Sequence, residues 1–233
     1  MDAKQLLQTL KNTPNETQMI KIIPKLGKYA KGKTVENALV SLSESSSEKI
    51  RAAAIDALLT NSHKRIKKLI MAHMSDTKEV KTKCFEYMGY HRMKQAEPIL
   101  LAHLNDVDRW VRYFAVLNLG DLGAYDVIEG VEKHLENETS DVVKSGGYST
   151  LVLLSETEAE KDCYEQKLIQ LLNSSDEVAR YLTINNLADL KNHLKREHIR
   201  EHIINAFYAR LEIESDEENI TTLKNAIRSL KYW

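Results

Sequence analysis

The chain has 233 residues, 42% hydrophobic and 29% charged, with 8 Gly, 3 Pro and a formal net charge of −1. That length and apolar content suffice for a sizeable core, and so few glycines and prolines exclude the frequent turns of a β-protein in favour of helices. No apolar run approaches the about 20 residues that span a membrane, and the opening MDAKQLLQTL lacks a secretory pattern, so a cytoplasmic protein without membrane contact is expected.

The near-neutral total conceals an asymmetry. Residues 1–116 carry 20 Lys+Arg against 12 Asp+Glu, and the remainder 13 against 22. The halves therefore carry net charges of +8 and −9, a contrast able to orient a charged partner.

In chain order, Asp2 to Lys11 reads as an amphipathic helix with Leu6, Leu7 and Leu10 on one side, followed by the turn NTPNET. Gln18 to Tyr29 carries Ile20, Ile22, Ile23 and Leu26 at helical spacing, with a bend or shortening expected at Pro24. Val35 to Ser43, the turn SESSSEK and IRAAAIDALL form an outer and an inner helix. His63 to Met74, SDTKE and VKTKCFEYMG repeat the arrangement, with seven basic and two acidic residues between Lys64 and Lys83.

Next comes AEPILLAHLNDVDRWVRYFAVLNLGDLG. Pro98 suits the first turn of the outer helix, Asp106 or Asp108 caps the inner helix, and Gly120 or Gly123 ends it. Val127 to Glu136, NETSD and VVKSGGYSTLVLL follow. The adjacent Gly146 and Gly147 cost roughly 1 kcal/mol each inside a helix, which implies close helix packing or room for a ligand. The linker ETEAEKD leads to a helix at Tyr164 to Leu172 and to ARYLTINNLADL; Leu194 to Leu211 and Ile220 to Leu230 form the last pair around the acidic turn EIESDEE.

VRYFAVLNLGDL and ARYLTINNLADL agree at arginine, tyrosine, asparagine, leucine, aspartate and the final leucine, so the chain contains an internal repeat. The same frame fits Ile50-Arg51, Val80-Lys81, Val111-Arg112, Val143-Lys144 and Ala179-Arg180, spaced 30, 31, 32 and 36 residues apart. That period predicts stacked helix pairs. Proline, turn aspartate, valine-arginine, then alanine, leucine and glycine at fixed offsets resemble the HEAT repeat, in the short form of phycobilin lyase-type proteins, over about residues 34–190. The resemblance implies an all-α fold, a right-handed α-α superhelix of about six to seven helix pairs. It also implies one domain over 1–233, with caps at 1–33 and 191–233, and a scaffold that binds a protein or peptide on the concave face lined by inner helices.

On a helical wheel Val111, Ala115, Asn118, Leu119 and Leu122 form the core side of the central inner helix, and Trp110, Tyr113 and Leu117 fall opposite it. Equivalent positions elsewhere are small or polar apart from Tyr181. The stripe either faces a partner or leaves Trp110 folded under a neighbouring loop. The candidate binding residues are Arg109, Trp110, Tyr113, Leu117 and Tyr181 beside a notch of Ser145, Gly146 and Ser149, since Trp, Tyr and Arg dominate binding hot spots. Arg112, with counterparts Arg51, Lys81, Lys144 and Arg180, is expected to pair along the stack with Asp106 or Asp108, and Asn118 and Asn186 to bridge neighbouring helices.

No catalytic, cofactor or metal site is expected. His198 to His202 has the form H-x-x-E-H, but only 31 residues follow it and no supporting ligand is evident. Phosphate-loop and nucleophile-elbow motifs are missing, as are the paired His-Glu steps of deoxyhypusine hydroxylase. Cys84 and Cys163 read as reduced buried thiols. The alternative function is a HEAT-like alkylpurine DNA glycosylase, with Trp110 and Tyr113 facing the base, Asp106 or Asp108 supplying a carboxylate, and Arg109 with the Lys64 to Lys83 face holding phosphates.

Overall fold

The computed structural model of the protein describes residues 1–190 and 197–231, and the described residues form fourteen α-helices joined by short turns, with no strand. The chain falls into two compact units, Met1–Met93 and Lys94–Trp233.

The first unit contains α1 (Ala3–Lys11), α2 (Glu16–Leu26), α3 (Lys33–Ser43), α4 (Glu48–Ala57), α5 (Lys64–Ala72) and α6 (Lys78–Tyr90). Their starts are set locally: Asp2 and Gln5 form a capping box, and Asn15 and Ser47 cap α2 and α4. Pro24 lies in the last turn of α2, which tightens at once into a 3-10 turn over Gly27–Tyr29. Helices α2, α4 and α6 form an inner row, with α3 and α5 outside it. Ile23, Leu26, Leu39, Ile55, Leu58, Phe85 and Met88 are fully buried between them, each contributing about 1.5–3 kcal/mol of apolar burial.

The second unit contains α7 (Glu97–Ala102), α8 (Arg109–Leu122), α9 (Ile128–Asn137), α10 (Asp141–Leu154), α11 (Glu158–Gln170), α12 (Glu177–Leu190), α13 (Glu197–Leu211) and α14 (Glu217–Lys231). Here α8, α10, α12 and α14 pack as successive inner helices. Pro98 sits in the first turn of α7, Asp108 accepts from Trp110 N at 2.8 Å to cap α8, and Gly123, at φ 70°, ends it in the left-handed conformation. Helix α9 packs closely on Gly147: a methyl group there would lie 2.5 Å from the Leu135 side chain, which would have to shift.

One polar clasp recurs in both units. Arg51 grips Asp76 through Nε and Nη2 at 2.9 and 2.6 Å, while its Nη1 donates to the Ser45 and Ser46 carbonyls of the turn before its own helix. Arg112 does the same with Glu138, at 2.7 and 3.1 Å, and with the Asp106 and Val107 carbonyls. Arg180 does so with Glu214, at 2.8 and 2.9 Å, and with the Ser174 and Ser175 carbonyls. Each carboxylate also accepts backbone amides of its own turn, such as Thr139 and Ser140 for Glu138. A side chain directed along the stack reaches the next turn, so the carboxylate that Arg112 grips is Glu138, where Asp106 or Asp108 was expected, and from its own turn it holds the Asp106 and Val107 carbonyls.

Two further expectations change. Asn118 does not bridge helices, because its Nδ2 donates to the Phe114 carbonyl one turn back in α8, at 2.7 Å. Cys84 is buried in the core as expected, whereas Cys163 is exposed on the outer helix α11.

Candidate functional site

The candidate residues lie on α8, α10 and α12: Arg109 and Trp110 open α8, Ser145 and Gly146 lie in the second turn of α10 and Tyr181 in that of α12, and Leu117 and Ser149 sit mid-helix. At the start of α8, the Arg109 guanidinium stands 5.5 Å from the Trp110 ring centre and its Nη1 donates to Asp176 Oδ2 at 2.8 Å. Asp176 caps α12 through Val178 N at 2.9 Å, so the ion pair joins the ends of two inner helices that flank α10. Both partners are partly exposed, at 43% and 32% of their side-chain surface, so the pair is screened and weak.

Trp110 is half-buried and meets Tyr113 edge to face, with ring centres 6.1 Å apart, and Tyr113 meets Phe114 in the same way at 5.2 Å. Tyr113 is only 4% exposed. Its ring lies on Gly146, where a methyl group would stand 3.0 Å from two ring carbons. The small-residue notch foreseen for a partner is therefore filled by the chain's own Tyr113. Ser145 and Ser149 are buried too, and the Ser145 hydroxyl donates to the Val142 carbonyl at 2.8 Å.

Of the eight candidates, Arg109 is exposed and Trp110, Leu117 and Tyr181 are half-buried, while Tyr113, Ser145, Gly146 and Ser149 form the layer beneath. The Tyr181 carbonyl accepts Asn185 Nδ2 at 3.0 Å, one turn on in α12. Sequence reasoning missed Asp176 as Arg109's partner. The signal was present in its place at the head of the ARYLTINNL helix, but the approach of two turns 67 residues apart was not.

A separate cavity of about 620 Å³ opens between α7 and α9, lined by Leu101, Asn105, Arg112, Gly130, His134 and Glu138 among others. Burial is the main influence holding His134 below the usual imidazole pKa; its Nε2 makes no hydrogen bond and lies 3.5 Å from Glu138. A second crevice, of about 210 Å³, holds Tyr148, Tyr164 and Lys167, with the Lys167 ammonium 5.7 and 5.3 Å from the two rings. The Tyr164 hydroxyl donates to Glu132.

The carboxylates that a glycosylase reading would use are occupied locally. Asp108 caps α8, and Asp106 Oδ1 accepts Asp108 N at 3.0 Å. In the H-x-x-E-H segment the His198 side chain lies outside the described residues, and His202 Nδ1 meets Glu165 at 3.2 Å. No cluster of three or more metal-ligating side chains occurs among the described residues, and no helix among them is long and apolar enough to cross a membrane.

Residues 66–151 match the family model for HEAT repeats. The structure is similar to that of phycocyanin lyase from Nostoc sp. PCC7120, solved as the complex of CpcE and CpcF, with a TM-score of 0.64 and 19% sequence identity over 99% of this chain and 95% of that one. An engineered protein aligns with a TM-score of 0.39 and 15% identity over 90% of this chain and 96% of that one. No curated protein matches the sequence. The all-α, HEAT-like superhelical fold implied by the repeat pattern is thus the fold of this chain.

Proposed function

Because residues 66–151 match the HEAT-repeat model and the chain has a HEAT-like fold, we propose that it is a non-enzymatic interaction module. A peptide or protein lies across α8, α10 and α12. The observation that carries this reading is the Arg109–Trp110 cation–aromatic pair at the head of α8, neither residue buried, set beside Tyr113 packed on Gly146 and tied through Asp176 to the head of α12, the helix that carries the half-buried Tyr181. Aromatic and guanidinium groups held at low entropy cost are what a binding hot spot needs, and Arg109, already stacked on Trp110, is presented for a partner carboxylate. The solved relative is itself a complex of two proteins, which supports a protein as the partner class.

The experiment is affinity capture with the wild-type chain and a Trp110→Ala/Tyr181→Ala variant, followed by titration of the recovered partner. The expected outcome is loss of tenfold or more in affinity at unchanged melting temperature. Equal affinity for a well-folded variant rejects the site.

A further inference from the structure

One edge of the first unit carries cations that its own folding does not use. The unit holds 17 Lys+Arg against 9 Asp+Glu, a net charge of +8 in 93 residues. Three successive connections lie side by side along this edge. Asn61 Nδ2 donates to the Ala30 carbonyl at 2.8 Å, Tyr87 Oη to the Asn61 carbonyl at 2.6 Å, and His91 Nε2 to the Leu59 carbonyl at 2.8 Å. Around them stand Lys28, Lys31, Lys33, Lys64, Lys67 and Lys68, of which only Lys67 is half-buried. None of the six forms an ion pair among the described residues. After burial, the largest influence, the charges of Lys67 and Lys31 help hold the neighbouring His91 below its usual pKa.

Two local arrangements oppose stability. Helix α5 begins KRIKK with no acidic residue in its first turn and no side-chain cap, so its lysines crowd the positive end of the helix dipole, where carboxylates are favoured. Arg92, exposed and just past α6, adopts φ 45°, a conformation that glycine or asparagine takes with less strain. A polyanion on this edge offsets the first of these, the lysine charge at the head of α5.

We propose that this edge of the first unit binds single-stranded nucleic acid, the lysines tracking its phosphates and the Tyr90 ring receiving a base. Tyr90 is 59% exposed, closes α6 at this edge and is steadied edge-on by His91, with ring centres 5.1 Å apart. Such a ring stacks on any base once the base is unpaired. The composition separates this ligand from the other polyanion-bearing surfaces. Lysine is depleted at protein interfaces, where arginine and apolar anchors dominate. A membrane surface requires inserted Trp, Phe or Leu, and the exposed large hydrophobics of this unit are Met1, Tyr29 and Tyr90.

Fluorescence anisotropy of labelled dT20 with the full chain tests the proposal. Binding at 50 mM salt is expected, with a log–log salt slope of about −3, corresponding to roughly four phosphates at about −0.7 each. A Lys31→Gln/Lys64→Gln/Lys67→Gln/Lys68→Gln variant loses tenfold or more in affinity and flattens the slope, yet melts no lower than wild type because it removes cations from a helix N-terminus. Tyr90→Ala loses about fivefold or more with the slope unchanged. No dT20 binding at 50 mM salt, equal binding by the quadruple variant, or binding to phosphatidylserine vesicles without dT20 overturns the proposal.

Discussion

Arg112 and Glu138 meet through two parallel hydrogen bonds, 2.7 and 3.1 Å long, with only 3% of the Glu138 side chain open to solvent. Removing the guanidinium leaves a buried carboxylate with two backbone amides as its remaining donors and frees the Asp106 and Val107 carbonyls. Arg112→Ala is therefore expected to cost about 3 kcal/mol, read as a lower urea midpoint, with partner affinity nearly unchanged. Arg112→Lys recovers only part of this, because an ammonium cannot serve both partners at once. A midpoint equal to that of wild type would show that the clasp contributes nothing.

Arg109→Ala is expected to behave in the opposite way. Its pair with Asp176 is exposed and screened, so the melting curve moves by less than about 0.5 kcal/mol, while affinity for the captured partner falls. If Arg109→Ala melts early and binds normally, the division between scaffold and site is wrong.

Acid should loosen the second unit through its clasps. Burial alone would raise the Glu214 pKa, but hydrogen bonds from Arg180, Arg210 and the Asp216 and Ser215 amides outweigh it and hold the carboxyl at about 2, against an ordinary 4.5. A depressed pKa means that its stabilisation is complete above about 4.5 and is lost as pH falls towards about 2. Wild-type melting temperature should decline across that window. Glu214→Gln should start lower and decline less; parallel curves would assign the acid sensitivity to other groups.

Two glycines should respond to alanine with opposite signs. A methyl group on Gly130 of α9 meets nothing within 4 Å, so Gly130→Ala raises stability by about 1 kcal/mol through helix propensity. On Gly146 the methyl group presses on the buried Tyr113 ring, and overpacking costs about 1–3 kcal/mol. Tyr113→Leu in the Gly146→Ala background should recover part of that loss, as a thermal melt of the double variant would reveal.

The thiols should separate cleanly. Burial pushes Cys84 up to about 12, the Asp76 charge adding to the effect, whereas Cys163 is exposed. Ellman's reagent should find one reactive thiol in the native chain and two in guanidinium. Two fast-reacting thiols in the native chain would contradict the packing of α6.

The helix order and the inner and outer alternation were legible because they rest on local patterns, and the caps at Asp108 and Gly123 were legible to within two candidates each, Asp106 or Asp108 and Gly120 or Gly123. The candidate site was legible only by position. A wheel places Trp110, Tyr113 and Leu117 on one side of α8, but it contains no information about where α10 passes, and the close approach of α10 at Gly146 is what buries Tyr113. Glu138 and Asp176 as partners of Arg112 and Arg109 were hidden for the same reason, since each depends on the distance between turns that no local pattern encodes.

The Arg109–Asp176 bridge works as a latch drawn across the face where a partner would lie. An arriving carboxylate does not find a bare guanidinium; it displaces one that is already engaged, exchanging one ion pair for another. Little net electrostatic energy is gained in that trade, so charge decides which partners are admitted and at what orientation, and the grip itself has to come from Trp110, Leu117 and Tyr181. Releasing Asp176 also unties the heads of α8 and α12, so occupancy would be felt as altered amide-exchange protection in the first turn of α12, whose Val178 amide Asp176 caps.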